Sequence, residues 1–176
     1  KNNEARLLVD YKASQVNNLL ERPTHPQFSV EQLVQQVKPG NEYFLSADIT
    51  GAFFCHPLQE GPEGGDLTTF LTHRGKYFFT VLPQGCCVSQ DFLGSTLSEA
   101  LDHKDLKDDE NKQVIRIIDD IAGCCKDLPT FKRLCKALFT RCKEYNVKLN
   151  PAKFQVSTSH INFAGVVISK EGVSPD

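Results

Sequence analysis

The sequence predicts an α+β fold: a split β-α-β arrangement whose antiparallel sheet carries helices on one face. Three observations predict it. The run Val114-Ile115-Arg116-Ile117-Ile118 meets the acid pair Asp119-Asp120 and then a second apolar run to Cys125, the pattern of a hairpin with carboxylates at its tip. Two amphipathic helical stretches, 89–101 and 129–145, flank that hairpin in the chain. A third strand-like run, 43–49, has Asp48 at its end. In a split β-α-β sheet that end lies beside the 119–120 turn, and three carboxylates converge. Adjacent carboxylates repel, and a divalent cation such as Mg²⁺ is the usual compensation. For the acid pair taken alone, a simple turn is the plainer account, since Asp is a common turn residue.

Composition narrows the class. The chain has 176 residues, enough for one domain or slightly more. With 40% apolar and 24% charged residues it matches an ordinary globular protein. No apolar run approaches a membrane span, and the start has no hydrophobic signal region. Methionine is absent even from position 1, so the chain reads as a processed piece of something longer. The 7 cysteines contain no CxxC pair, which argues against a zinc site and for a reduced intracellular protein. The net charge of −2 excludes a uniformly basic nucleic-acid coat, but the charge is uneven. Residues 126–153 hold eight Lys or Arg against two acids, and 102–110 hold five acids against two Lys. A basic half of this kind can follow a phosphate backbone, although charge runs are more often solvated faces.

Along the chain, residues 5–11 read as a strand and 12–30 as a polar loop. Residues 29–37 read as a helix with Ser29 as N-cap, Val30, Leu33, Val34 and Val37 as its apolar face, and Pro39-Gly40 as its stop. After the 43–49 strand, residues 50–58 read as a short helical or turned segment. Runs 67–72 and 77–82 read as a hairpin joined by His73-Arg74-Gly75-Lys76, and 61–65 as a loop. Pro83-Gln84-Gly85 breaks the second run. Ser89 is a plausible N-cap for the next helix, with Phe92, Thr96 and Ala100 on one face. The later helix carries Phe131, Leu134, Cys135, Leu138, Cys142 and Tyr145 as its buried stripe. Short strands follow at 154–156, 161–163 and 166–169, the last two turning at Ala164-Gly165.

Five motifs in order carry a family resemblance. Phe44-Leu45-Ser46-Ala47-Asp48 through Leu58 is similar to the first palm motif of retroelement reverse transcriptases. Leu82-Pro83-Gln84-Gly85 resembles their second, Ile118-Asp119-Asp120-Ile121 the metal-binding third, and Leu149-Asn150-Pro151-Ala152-Lys153 the fourth. Phe163-Ala164-Gly165-Val166-Val167 resembles the primer-grip hairpin, and 8–12 the family's fingers. The chain most resembles the gypsy class of long-terminal-repeat retrotransposons.

The resemblance implies a reverse-transcriptase-like palm (43–58 and 89–176) with partial fingers (1–42 and 59–88), lacking thumb and RNase H. It implies an RNA-directed DNA polymerase, a nucleotidyltransferase that adds deoxynucleotides to a primer 3′-OH. Asp48, Asp119 and Asp120 would hold two Mg²⁺ or Mn²⁺ ions. Arg6, Phe53, Gln84, Gly85 and Lys153 would bind the nucleotide: Arg6 as a triphosphate clamp, Phe53 as a ring excluding a 2′-hydroxyl, Lys153 as a proton donor to pyrophosphate. Phe163, Ala164 and Gly165 would form the primer grip. Partners would be an RNA or DNA template with primer, deoxynucleoside triphosphates, and the polyprotein's thumb, RNase H and integrase, with no membrane. The setting would be the cytoplasm, within a virus-like particle, or the nucleus. An isolated fragment would extend primers poorly.

Three departures support a second reading, a domesticated copy acting as a non-catalytic binding module: Ile117 and Cys86 stand where the family has aromatics, and Gln90 where it has Pro. None removes a carboxylate. An RNA-binding sheet of similar topology would need exposed aromatics on its central strands, and residues 114–121 have none.

Overall fold

The computed structural model describes residues 7–21, 29, 32, 35, 37–58, 66–102, 104–106 and 112–176. They fall into two compact units, Lys1–His25 with Phe53–Gly94, and Pro26–Ala52 with Ser95–Asp176.

The second unit is built on a four-stranded antiparallel sheet in the order β4-β5-β1-β6. Its strands are β1 (Tyr43–Asp48), β4 (Lys112–Ile117), β5 (Asp120–Cys125) and β6 (Gln155–Ser157). Alternation assigns the two faces. Phe44, Ser46 and Asp48 lie opposite Cys124, Ala122 and Asp120, and those lie opposite Gln113, Ile115 and Ile117. The other face carries Tyr43, Leu45 and Ala47 with Cys125, Gly123 and Ile121, and then Lys112, Val114 and Arg116.

Helix α2 (Leu128–Glu144) covers the second face, with Phe131 against Tyr43 at 5.9 Å between ring centroids. It begins one residue before the expected Pro129. Asp127 caps it by accepting from the Thr130 amide at 2.8 Å and the Thr130 hydroxyl at 2.9 Å. These bonds hold the Asp127 carboxyl below its ordinary range. Thr130, Phe131, Leu134, Leu138 and Cys142 are buried, while Cys135 and Tyr145 are only half-buried. At its far end Arg141 donates to the carbonyls of Ala100 at 2.8 Å and Glu99 at 3.0 Å, satisfying acceptors near the C-terminus of α1 (Ser89–Leu101).

A three-stranded sheet, β7 (His160–Phe163), β8 (Val166–Ser169) and β9 (Gly172–Pro175), packs on the first face. Ile161, Phe163 and Ile168 join Phe44, Ile115, Ala122 and Cys124 in one buried cluster. The Ala164-Gly165 turn has φ of 48° and 81°, the pair of positive angles that a two-residue type I′ loop requires. The reading of the sequence placed this turn correctly but missed β9, whose Gly172 and Pro175 are poor strand formers.

The first unit holds a short hairpin, β2 (Phe70–Thr72) and β3 (Gly75–Tyr77). The expected strands 67–72 and 77–82 were displaced: the loop is only His73-Arg74, and Val81 instead bridges to Pro57. Residues 7–10 form no strand, contrary to expectation. The 29–37 helix and the 61–65 loop lie largely outside the described residues. The Ser29 hydroxyl accepts from the Gln32 amide at 3.3 Å and the Gln32 side chain accepts from the Ser29 amide at 3.0 Å, a capping box.

Helix α1 has the expected length but a different buried stripe. Leu93, Leu97, Ala100 and Leu101 are buried, and Phe92 is 53% exposed. The Ser89 hydroxyl donates to the Pro83 carbonyl at 2.7 Å, so it ties the helix to the preceding loop instead of capping an amide.

Gly123 is the tightest point of the second unit. A Cβ there would meet Leu134 Cδ2 at 2.8 Å and Leu45 Cγ at 2.9 Å, and both leucines are fully buried. Gly123→Ala is expected to destabilise the chain by about 1–3 kcal/mol through overpacking, read as a lower urea midpoint at unchanged slope.

Candidate functional site: a carboxylate cluster at the sheet end

The antiparallel register sets Asp48, the last residue of β1, directly opposite Asp120, the first of β5. Asp119 precedes it in the two-residue loop Ile118-Asp119 that joins β4 to β5. Both sides of the cluster are fixed by backbone bonds. The Ile49 amide donates to the Asp119 carbonyl at 2.8 Å, and the Asn150 amide donates to the Asp48 carbonyl at 2.8 Å. The second bond attaches the 150–153 turn to the end of β1, helped by an isolated bridge between Ile49 and Leu149. The register therefore brings Asp48, Asp119 and Asp120 to one end of the sheet.

Ile118 has φ of 53°, a conformation that β-branched residues strongly disfavour. A two-residue hairpin loop with positive φ at its first position ordinarily takes glycine there. Such strain persists only where surrounding contacts over-determine the backbone.

The electrostatics follow from the geometry. Burial, then the charges of Asp119 and Asp48, raise the Asp120 carboxyl above its ordinary range; Lys153 opposes them. The Lys153 ammonium lies 2.8 Å from Asp48 Oδ1, and this hydrogen bond, followed by the Asp48 charge, raises its own pKa. Lys153 is 63% exposed at its side chain, so the pair is a solvent-screened ion pair rather than a buried one.

Three half-buried carboxylates with one exposed cation leave uncompensated negative charge, and hard oxygen donors of this kind suit Mg²⁺ or Mn²⁺. Their spacing is less complete than their chemistry. Among the described residues no three His, Cys, Asp or Glu side chains are gathered closely enough to hold one ion as they stand. The donor set fits the ion, and closing on it requires side-chain rotation, including opening of the Lys153–Asp48 contact.

The remaining expected site residues divide as follows. Phe53, Gln84 and Gly85 belong to the first unit. Phe53 is half-buried in a 3-10 turn, Ala52–Cys55, and its neighbour Phe54 is 46% exposed. Gln84 is half-buried. Gly85 has φ of 93°, and a Cβ there would meet the Val9 carbonyl oxygen at 3.0 Å. The positive φ and this close approach together disfavour a side chain at position 85. Arg6 lies outside the described residues. Phe163 is buried in the core cluster, so its ring is not presented to a ligand; Ala164 and Gly165 form the turn tip.

Two positions escaped the sequence reading. Asn17 accepts from the Cys87 amide at 2.9 Å and donates to the Gly85 carbonyl at 3.4 Å, pinning the loop after Pro83. Ile49 anchors Asp119 through its amide alone. Neither carries a local signal, because the first depends on a partner some 70 residues away and the second on backbone rather than side chain.

A sheet carrying helices on one face, with carboxylates gathered at a hairpin tip, defines the reverse-transcriptase-like palm-and-fingers fold. The pattern of the reverse transcriptase (RNA-dependent DNA polymerase) family matches residues 1–168, and the chain belongs to that family. It is 28% identical over 172 residues to the retrovirus-related Pol polyprotein from transposon 412 of Drosophila melanogaster, covering 97% of this chain and 13% of that protein. It is 26% identical over 179 residues to the transposon Tf2-3 polyprotein of Schizosaccharomyces pombe, covering 99% of this chain and 12% of that protein. The chain thus spans about one eighth of the length of these curated relatives. The foamy viral protease-reverse transcriptase in complex with double-stranded DNA has the same fold, with a TM-score of 0.82 at 20% identity over 97% of this chain and 28% of that one. The same viral protein in complex with an RNA/DNA hybrid gives 0.82 at 18% identity, over 97% of this chain and 22% of that one.

Asp120 offers a test of the electrostatics. Its carboxyl is raised in the folded chain, so folding favours its protonated form, and a stability penalty develops as pH rises through its titration. Asp120→Asn is therefore expected to melt above the parent at pH 7 in the presence of a chelator, with the difference shrinking toward pH 4. Thermal melts across that range check it; a lower melting temperature for the variant at pH 7 would contradict the repulsion.

Proposed function

We propose that this chain is the palm, with part of the fingers, of an RNA-directed DNA polymerase from a retroelement polyprotein. The observation that carries this reading is the pairing of Asp48 with Asp120 at the end of β1 and β5, with Asp119 on the adjoining turn. In it Asp48, Asp119 and Asp120 hold two divalent ions. When bound, the ions stabilise the charge on the attacking and leaving oxygens of an in-line phosphoryl displacement.

The chain's own residues do the rest. Backbone bonds at Asp48 and Asp119 fix where the carboxylates stand. Phe53 presents a flat ring where a 2′-hydroxyl would fall, which restricts the substrate to deoxynucleotides. Gln84 and Gly85 lie along the nucleotide and template, and Arg6 clamps the triphosphate. Lys153, already drawn toward the cluster by Asp48, gives a proton to the departing pyrophosphate. The 164–165 turn supports the primer end, through backbone and not through the Phe163 ring.

In this reading the palm is 43–58 with 89–176, holding β1 and β4–β9, and the partial fingers are 1–42 with 59–88, holding β2–β3. The partners are a primed RNA or DNA template, deoxynucleoside triphosphates and the polyprotein's thumb, RNase H and integrase. The place of action is the cytoplasm, in a virus-like particle, or the nucleus. No helix among the described residues is long and apolar enough to cross a membrane.

The Lys153–Asp48 ion pair favours one second reading, a retained fold that works as a non-catalytic nucleic-acid-binding module with its cluster partly balanced from within. Primer extension on an RNA template with Mg²⁺ separates the two. The parent is expected to extend, Asp119→Asn to lose extension, and Phe53→Val to admit ribonucleotides. Silence of the parent even when joined to a thumb domain would favour the module.

A further inference from the structure

We propose that Arg116 is a positioning residue that fixes the peptide between Ile118 and Asp119 and thereby aims the Asp119 carboxylate; the consequence for metal binding rests on the function proposed above. Arg116 sits on β4 opposite Ile121. By alternation it belongs to the helix-covered face, whereas Asp48 and Asp120 belong to the other. Its side chain therefore starts from the face opposite that of Asp48 and Asp120. It reaches around the strand end to the loop, where Nη1 donates to the Ile118 carbonyl at 3.4 Å. Nη2 donates to Ser98 Oγ of α1 at 3.0 Å. The loop is thus tied to a helix through a rigid planar fork, which holds two acceptors at a fixed separation.

The attachment falls where the backbone needs it. Ile118 has φ of 53°, the conformation that a β-branched residue leaves unless it is held. On one side of Asp119 the Ile118 carbonyl is held by Arg116, and on the other the Asp119 carbonyl is held by the Ile49 amide. Both peptide planes flanking the Asp119 side chain are consequently fixed. Burial lowers the pKa of the guanidinium, and the Asp102 charge opposes that cost. A half-buried cation thus stands on the helix-covered face of β4, beside Val114 and across from Ile121.

Arg116 and Ile118 should therefore be coupled, and hydrogen exchange at the Ile49 amide reads that coupling without any catalytic step. Four proteins suffice: Arg116→Met, Arg116→Lys, Ile118→Gly, and Arg116→Met combined with Ile118→Gly. Arg116→Met is expected to speed exchange at Ile49 by about tenfold while Leu45 and Gly123, mid-ladder, keep the parent's rates. Arg116→Lys should restore most of the protection. Glycine adopts positive φ without steric cost, so in the Ile118→Gly background the same Arg116 change should alter Ile49 exchange by less than about twofold. Unchanged exchange at Ile49 in Arg116→Met, acceleration shared equally by the whole ladder, or an equal effect in the glycine background would each overturn the proposal. Mn²⁺ titration of the same chains, followed by electron paramagnetic resonance, tests the dependent step: binding should weaken in Arg116→Met and recover in Arg116→Lys. A parent chain that binds no Mn²⁺ would count against the proposed function, while the exchange data would still decide the role of Arg116.

Discussion

The antiparallel pairing of β1 with β5 is the constraint on which the rest depends. It forces two carboxylates, Asp48 and Asp120, into a directly opposed pair and brings a third beside them. Like charges directly opposite each other destabilise a sheet, so this register survives because other interactions hold it. Phe44, Ala122 and Cys124 lie on the same face further along the ladder and are fully buried. A one-residue slip of β1 would move Phe44 out of the core cluster and turn Asp48 toward the face covered by α2. The core therefore enforces the arrangement that the acids would themselves avoid, and strain and repulsion accumulate at the strand ends where the ladder stops.

The two faces of the sheet divide the work. One receives α2 and is filled by leucines close enough to exclude any side chain at position 123. The other receives the β7–β9 sheet over the end nearest Phe44 and carries the carboxylates at its other end. Backbone bonds from Ile49 and Asn150 form part of the frame. Peptide groups in such positions hold geometry whichever side chains they carry, so the frame tolerates departures such as Ile117 without losing the carboxylates.

What was legible in the sequence follows the same division. The Val114–Cys125 hairpin, the β1 strand ending at Asp48 and the 164–165 turn were readable because each combines an apolar run with a turn residue whose chemistry is local. The α1 stripe was misread, since Phe92, Thr96 and Ala100 satisfy helical spacing as well as the buried Leu93, Leu97 and Ala100 do. Periodicity fixes a helix but not which of two neighbouring stripes meets the core. The β2–β3 register was misplaced because Phe70, Tyr77 and Phe79 permit several pairings, and the bridge from Pro57 to Val81 is non-local. The carboxylate cluster was legible in its acids and illegible in the Ile49 and Asn150 backbone amides that hold it, and the Asn17 contact to the loop after Pro83 depends on a partner far along the chain.

Gly85 and Lys153 show why motif residues resist a single explanation. Gly85 resembles a residue that lets a nucleotide approach, yet its positive φ and the nearby Val9 carbonyl already disfavour a side chain there. Lys153 resembles a proton donor, yet it also supplies the exposed cation that partly balances three acids. The structural need does not displace the chemical one. A glycine favoured by its own fold is already clear of side-chain atoms, and a lysine drawn to the acids already stands at the carboxylate cluster. At this sheet end the features that cost stability, opposed carboxylates and a bent-back Ile118, are the same ones that concentrate charge at one defined place. That coincidence is expected of a site selected for chemistry rather than for stability.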